Sequence, residues 1–426
     1  MRAWPAASRA VVWLAAWPAL AMLAAACGEP TADGTARGEL SLVGTLGEGD
    51  TAGYARATEP QRFVFPDDHG PHPEYRTEWW YVTGNLMDRA GRPFGFQLTI
   101  FRNALAPVHP GGPSTWATNQ AYMGHFTLTD VAAAEFHAFE LFARGAGGLA
   151  GARADPFRVW IEDWALETSD PQAVPGSSGP QLPPGSSGSQ APSGPPGPGR
   201  SRGTGFPMSL SADGDGIALQ LTLESAKPVV LQGEDGLSRK GPEPGNASYY
   251  YAHTRLPARG RLVLAADTLE VSGLAWLDRE WSTSALSTGQ VGWDWFALQL
   301  DDGWDVMVYR LRHGDGSADP LSEGVLIDPE GRRHSLAWGR DIIVEETGTW
   351  TSPTDEVVYP SGWRVRVPGR AWDLQVSPAV ENQELTLAFR YWEGAVTVGG
   401  VGEGGSTVGG RGYVELTGYA EEQATR

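Results

Sequence analysis

Residues Arg76–Leu86 read RTEWWYVTGNL, two tryptophans and a tyrosine in one short run beside valine and threonine, the composition of a β-strand. Alternate residues of an extended strand face opposite sides, so Thr77, Trp79, Tyr81 and Thr83 share one face and Glu78, Trp80 and Val82 the other. Both faces are aromatic. A strand wetted on one side alternates apolar and polar residues, so this one needs two buried faces, or a barrel whose interior holds an apolar ligand.

Outward from it the same texture continues. The strand is followed by the turn MDRAG and a second apolar strand, FGFQLTIFR; much later WDWFALQL (Trp293–Leu300) is followed by DDG and WDVMVYRLR. Each unit is an aromatic strand ending in leucine, an Asp/Gly turn, and an apolar strand ending in arginine, a repeat that predicts two related β domains. Elsewhere short period-two runs alternate with Gly, Asp and Pro turns, and 18 Trp and 56 Gly among 426 residues fit an all-β chain of sandwich or barrel type. The expected domains are 59–240 and 241–420.

Three stretches stand apart from these domains. Arg2 and Arg9 precede an apolar run, VVWLAAWPALAMLAAAC (Val11–Cys27), the pattern of a secretory signal peptide over 1–27. Cys27, the single cysteine, follows LAAA as in a bacterial lipobox, although Leu23 is four residues before it where three is usual. The expectation is a lipid-anchored protein of the cell envelope; an ordinary cleaved signal peptide and a secreted product is the other reading. Residues 28–58 read as a tether, and 170–205, nearly all Pro, Gly, Ser and Gln, as a disordered loop within one sheet, because strand-like segments flank it. The formal net charge of −19 excludes a nucleic-acid partner, which requires clustered Lys and Arg.

Two clusters could carry chemistry. DDHGPHPEYRTE (Asp67–Glu78) offers His69, His72 and four carboxylates, but Pro71 and Pro73 prevent a helix from presenting both histidines on one face, so a hydrogen-bonded plug at a barrel mouth is expected rather than a metal site. No cofactor is expected. In AWLDREW (Ala275–Trp281) a strand would set Trp276, Asp278 and Glu280 on one face, same-face neighbours being about 6.8 Å apart. Carboxyls beside a tryptophan could form an acid/base pair, since an apolar wall keeps a carboxyl protonated toward neutrality; the alternative is an ion-pair cluster with Arg279 and Arg255. No phosphate-binding Gly-rich loop is present, and the G-x-S-x-G string Gly199–Gly203 lies in the Pro/Gly/Ser stretch rather than in a strand-to-helix elbow, which argues against nucleotide chemistry and serine hydrolysis.

Together DHGPHPEYRTEWWYVTGNL, QGEDGLSRKGPEPGNASYYYAHTRL, GLAWLDREWS, GWDWFALQL and YWEGAVTVGG…GRGYVELTGY resemble the AttH-type lipocalin-like proteins related to carotenoid 1,2-hydratases, over nearly everything from Phe63 to Tyr419. The resemblance implies two tandem lipocalin-like antiparallel barrels, an extracytoplasmic location and an ABC-type transport permease as partner. It further implies an apolar pocket, for which Trp79, Trp80, Tyr81, Tyr251, Trp276, Trp293 and Trp295 are the expected lining. The hydratases protonate a terminal isoprenoid double bond with an Asp that falls on Asp278; Trp276 stands where they have Tyr, and REWS departs from their continuation. Two functions follow. One is a binding protein for an extended lipid or isoprenoid; the other is a hydro-lyase with Asp278 as general acid and a water activated by Glu280 or His253.

Overall fold

The computed structural model describes residues 51–112, 114–169, 204–284 and 286–420. The signal segment with Cys27, most of the tether and nearly all of the loop 170–205 lie outside these residues. Strands β1 (Thr77–Asp88), β2 (Pro93–Ala104), β3 (Gln120–Asp130) and β4 (Glu135–Arg144) form a meander. It is followed by β5 (Ala150–Ala154), β6 (Phe157–Ile161), β7 (Trp164–Thr168), β8 (Met208–Gly214) and β9 (Ile217–Leu223). Two short pieces, β10 (Val230–Leu231) and β11 (Leu237–Arg239), precede the long hairpin of β12 (Ala247–Leu264) and β13 (Asp267–Ser282). These thirteen strands make one antiparallel sheet in the order β4-β3-β2-β1-β13-β12-β9-β8-β7-β6-β5, with β10 and β11 on β12. It curls into a nearly closed barrel, with β6 packed across it against β2, β3 and β4.

The second sheet starts with β14 (Gln290–Leu300), β15 (Asp305–His313), β16 (Glu323–Ile327), β17 (Arg333–Ala337) and β18 (Ile343–Glu346). After a separate ribbon of β19 (Thr349–Thr351) and β20 (Val358–Pro360) come β21 (Trp363–Val367), β22 (Trp372–Pro378), β23 (Glu384–Thr386), β24 (Arg390–Val401) and β25 (Thr407–Leu416). Its order is β17-β16-β15-β14-β25-β24-β22-β21-β18, with β23 on β24. In both sheets the first four strands run in sequence and the first strand pairs with the last. The repeat read from the sequence is therefore the opening hairpin of each sheet, β1–β2 and β14–β15, and the fold is two tandem lipocalin-like barrels, the second a half-barrel.

The expected boundary at 240/241 does not follow the sheets. β12 and β13 belong to the first barrel, because β13 closes it along β1 from Thr77↔Ser282 to Asp88↔Val271. The change of sheet falls between Ser282 and Gln290. Hydrophobic period marks a strand but not the sheet it joins, which is why the sequence placed the hairpin one barrel too late.

The two aromatic faces of β1 serve two different interiors. Trp80, Val82 and Leu86 join the core of the first barrel with Phe96, Phe126 and Leu219. Tyr81 instead packs between the two sheets with Tyr250, Trp276, Trp295, Met307 and Tyr413. The sheets approach closely there: a Cβ on Gly95 of β2 would sit 2.5 Å from Ala395 Cβ of β24, so glycine is required. Asn85 Nδ2 also donates to Gly412 O at 3.0 Å across the gap.

The segment Asp67–Tyr75 crosses one end of the first barrel, where its histidines are fixed by hydrogen bonds. His69 Nδ1 meets Tyr251 Oη at 2.6 Å, its Nε2 meets Thr204 O at 2.9 Å, and its own carbonyl accepts Trp80 Nε1 at 2.7 Å. Beside it the buried carboxylate of Glu78 accepts from Arg102 and Arg279 and from the backbone N–H of His72. Burial alone would raise this carboxyl, but the two guanidiniums, helped by His72, hold it well below the usual range.

Candidate active site between the barrels

On β13 the alternation that sends Leu277 into the barrel core sends Trp276, Asp278 and Glu280 toward the second sheet. They meet Tyr250 from β12, Trp79 and Tyr81 from β1, and Trp293 and Trp295 from β14 around a partly open cavity of about 80 Å³. Leu286, Leu311 and Tyr309 complete an apolar wall, and Lys240 and Glu415 add two ionisable groups.

Asp278 is held in a cage of neutral donors. Its Oδ2 accepts Tyr250 Oη at 2.6 Å and its Oδ1 accepts Trp276 Nε1 at 2.7 Å, while Trp295 Nε1 donates to Tyr250 Oη at 3.2 Å. Among the described residues Asp278 forms no ion pair: Arg279 points to the opposite face and engages Glu78, and Arg255 engages Asp305 at 2.6 Å. Burial therefore dominates and, although the Tyr250 and Trp276 bonds oppose it, pushes the Asp278 carboxyl up to about 8 with help from Glu280 and Glu415. The ion-pair alternative does not describe this site. A carboxylic acid that stays protonated at neutral pH sits in an aromatic cavity.

The other polar groups differ in character. Glu280 is bound by Lys240 Nζ at 3.2 Å and by Ser248 Oγ, so its charge is matched. Lys240 Nζ also donates to Ser238 Oγ at 3.0 Å and lies 4.6 Å from the Tyr309 ring centre, a cation–π contact. Glu415 accepts Trp293 Nε1 at 2.9 Å; burial pushes it up to about 7, against that bond and with help from Glu280.

Of the residues expected from the sequence, Asp278, Glu280, Trp79, Tyr81, Trp293 and Trp295 line the cavity and Trp276 backs it as a donor to Asp278. Three do not belong. Trp80 faces the barrel core, its ring 3.9 Å from the Arg279 guanidinium. Tyr251 and His253 lie on the other face of β12 from Tyr250, at the plugged mouth against Phe65, His69 and Phe206. There burial lowers His253 to about 3, and its neutral ring cannot reach a ligand in the cavity. The register of YYYAH was the missing information: a one-residue shift exchanges the faces of a strand. Tyr250, Lys240 and Glu415 were not singled out. Glu415 and Glu393 carried a signal, being acidic residues inside apolar runs (YVEL, YWEGAV), whereas nothing in the sequence around Lys240 marks it.

Two antiparallel barrels in tandem, with an ionisable aromatic cavity between them, define a lipocalin-like protein of two-barrel type. The AttH-like family model matches residues 56–179 and 199–419, and the chain belongs to the AttH-like family. The match is interrupted within the Pro/Gly/Ser stretch. Among solved structures the chain is similar to an AttH from Nitrosomonas europaea, with 30% identity and a TM-score of 0.69 over 86% of this chain and 99% of that one. It is also similar to kievitone hydratase from Nectria haematococca, with 13% identity and a TM-score of 0.59 over 85% of this chain and 97% of that one, a likeness of fold. Among curated proteins nothing matches.

Proposed function

We propose that the cavity between the barrels takes the end of an apolar, unsaturated chain, such as an isoprenoid, and that Asp278 protonates its double bond so that water adds. The observation that carries this reading is a buried acid, free of any cationic partner among the described residues, held by Tyr250 and Trp276 inside an aromatic wall. Since a cavity of about 150 Å³ takes a benzene ring, 80 Å³ takes roughly three carbons, the tip of a chain rather than the whole of it. The rest of a long ligand would leave through the open side.

The steps follow from the donors present. Each Asp278 oxygen accepts one bond, which leaves the carboxyl room for its own proton. Transfer of that proton to the less substituted alkene carbon puts positive charge on the other, where the faces of Trp79, Trp293 and Trp295 stabilise it. Glu280, fixed by Lys240 and Ser248, orients the incoming water. His253, a sequence candidate for that task, is replaced by Glu280 because it faces the other side of β12.

A pure binding protein shares the cavity but has no use for a proton-bearing Asp278. The two are separated by titrating tryptophan fluorescence with an acyclic isoprenoid and assaying hydration in the wild type and Asp278→Asn. Binding in both proteins with hydration in the wild type alone supports the acid; binding without hydration in either leaves a carrier. We further propose that Cys27 anchors the protein in the envelope membrane, on the lipobox-like sequence alone; Cys27→Ser should move it to the soluble envelope fraction.

A further inference from the structure

Glu393 and Glu415 stand directly opposite each other on β24 and β25. Directly paired residues leave an antiparallel sheet on the same side, with their Cβ atoms roughly 5 Å apart. Glu415 lines the cavity. Glu393 lies behind it, fully buried, and neither of its oxygens has a well-formed hydrogen bond; the hydroxyls of Tyr81 and Tyr391 are its polar neighbours. Among the described residues no cation pairs with either carboxyl. Two carboxyls side by side, one fully buried and the other facing the cavity, with no cation paired to either among the described residues, do not both ionise readily, so the pair keeps at least one proton at neutral pH.

A polar path leads from this pair to the surface. Tyr391 Oη meets His125 Nδ1 at 2.7 Å, and His125 Nε2 meets Glu140 Oε1 at 3.0 Å. The Glu140 side chain is 14% exposed on β4, while His125 is fully buried. No step of the hydration described above uses any of these residues. The other ionisable groups around the pair are Asp278 and Glu280 on β13, Lys240 after β11, Tyr81 on β1 and Tyr413 on β25.

We propose that Glu415 accepts the proton released when water adds, that Glu393 shares it, and that Tyr391, His125 and Glu140 exchange it with solvent. The substrate step rests on the hydration reading; the proton-holding pair does not. Atoms balance without a redox partner: Asp278 gives H⁺ to carbon, a C–O bond forms, an O–H bond breaks, and that H⁺ passes to Glu415. Asp278 then recovers a proton from solvent. Glu280 is the weaker acceptor, since Lys240 and Ser248 already satisfy it.

The test combines infrared spectroscopy of the ligand-free protein with the hydration assay. In an Asp278→Asn background a protonated carboxyl band should survive into alkaline pH and disappear in Glu393→Gln. In the otherwise native protein Glu415→Gln should lower kcat roughly ten-fold or more with little change in KM, the scale of a lost acid/base group. His125→Gln should lower kcat and leave the alkaline band in place. A band that persists in Glu393→Gln, or undiminished hydration in Glu415→Gln, overturns the assignment. The band behaving as described with no hydration by the wild type overturns the hydration reading instead, and leaves the proton pair standing.

Discussion

At the scale of single residues, the proton on Asp278 is governed by burial and by two neutral donors. Tyr250→Phe removes the nearer of them, and since the hydroxyl bond lowers the carboxyl, its loss should raise Asp278 above about 8. The alkaline limb of the rate profile should therefore move to higher pH, which a pH series of kcat/KM measures; an unchanged limb would mean that another group sets it. The side of β13 that carries Asp278 was legible, because alternation from AWLDREW needs only the strand itself. The side of β12 that carries His253 was not. Three consecutive tyrosines give no polarity contrast between the faces, and only the pairing of Tyr250↔Glu280 and Ala252↔Asp278 decides which of them looks into the cavity.

At the scale of elements, the plug and the hairpin β12–β13 hold the site from behind. Arg102 and Arg279 converge on Glu78, and both guanidiniums are buried. Glu78→Gln leaves two buried cations without their anion, and should destabilise the protein by about 3–5 kcal/mol, read as a lower denaturant midpoint. Because this carboxyl is held far below its unfolded value, its contribution is fully present above the unfolded pKa, declines steadily as the pH falls below it, and is gone once the pH has passed through the folded value. Sequence spacing gathered Glu78 and the histidines in one segment but could not supply Arg102 and Arg279, which come from strands 24 and 201 residues away. The same limit misplaced the domain boundary: pairing across long separations leaves no trace in local period.

At the scale of the whole molecule, the sheets meet face to face over a cavity in which Asp278 and Glu415 are raised, and this gives the stability a definite pH dependence. A folded carboxyl at about 8, and another at about 7, bind protons that the unfolded chain releases near pH 4. Their contribution is present below the unfolded value and is lost as the pH rises through the folded values. Asp278→Asn should flatten this decline and leave the variant more stable than wild type at about pH 9, on the order of a few kcal/mol; thermal unfolding across pH measures it, and a uniformly lower melting temperature would indicate an ion pair instead. The paired ends Thr168↔Met208 hold β7 and β8 together whatever connects them. Deleting 181–199 should thus change the unfolding midpoint little, since closure entropy varies slowly with loop length. The all-β class was legible from the period-two runs, two domains from the repeated hairpin and the barrels from the family resemblance, whereas the cavity between the barrels was not, because its walls come from both sheets.

The most direct measurement is hydration in ¹⁸O-labelled water. An acyclic isoprenoid with a terminal double bond is incubated with the wild type and with Asp278→Asn, and the products are weighed by mass spectrometry. A tertiary alcohol carrying ¹⁸O from the wild type, formed roughly 10² times more slowly by a variant that still binds the isoprenoid, is the expected result. Equal labelling by both proteins, or none by the wild type while it binds the isoprenoid, would contradict an acid role for Asp278.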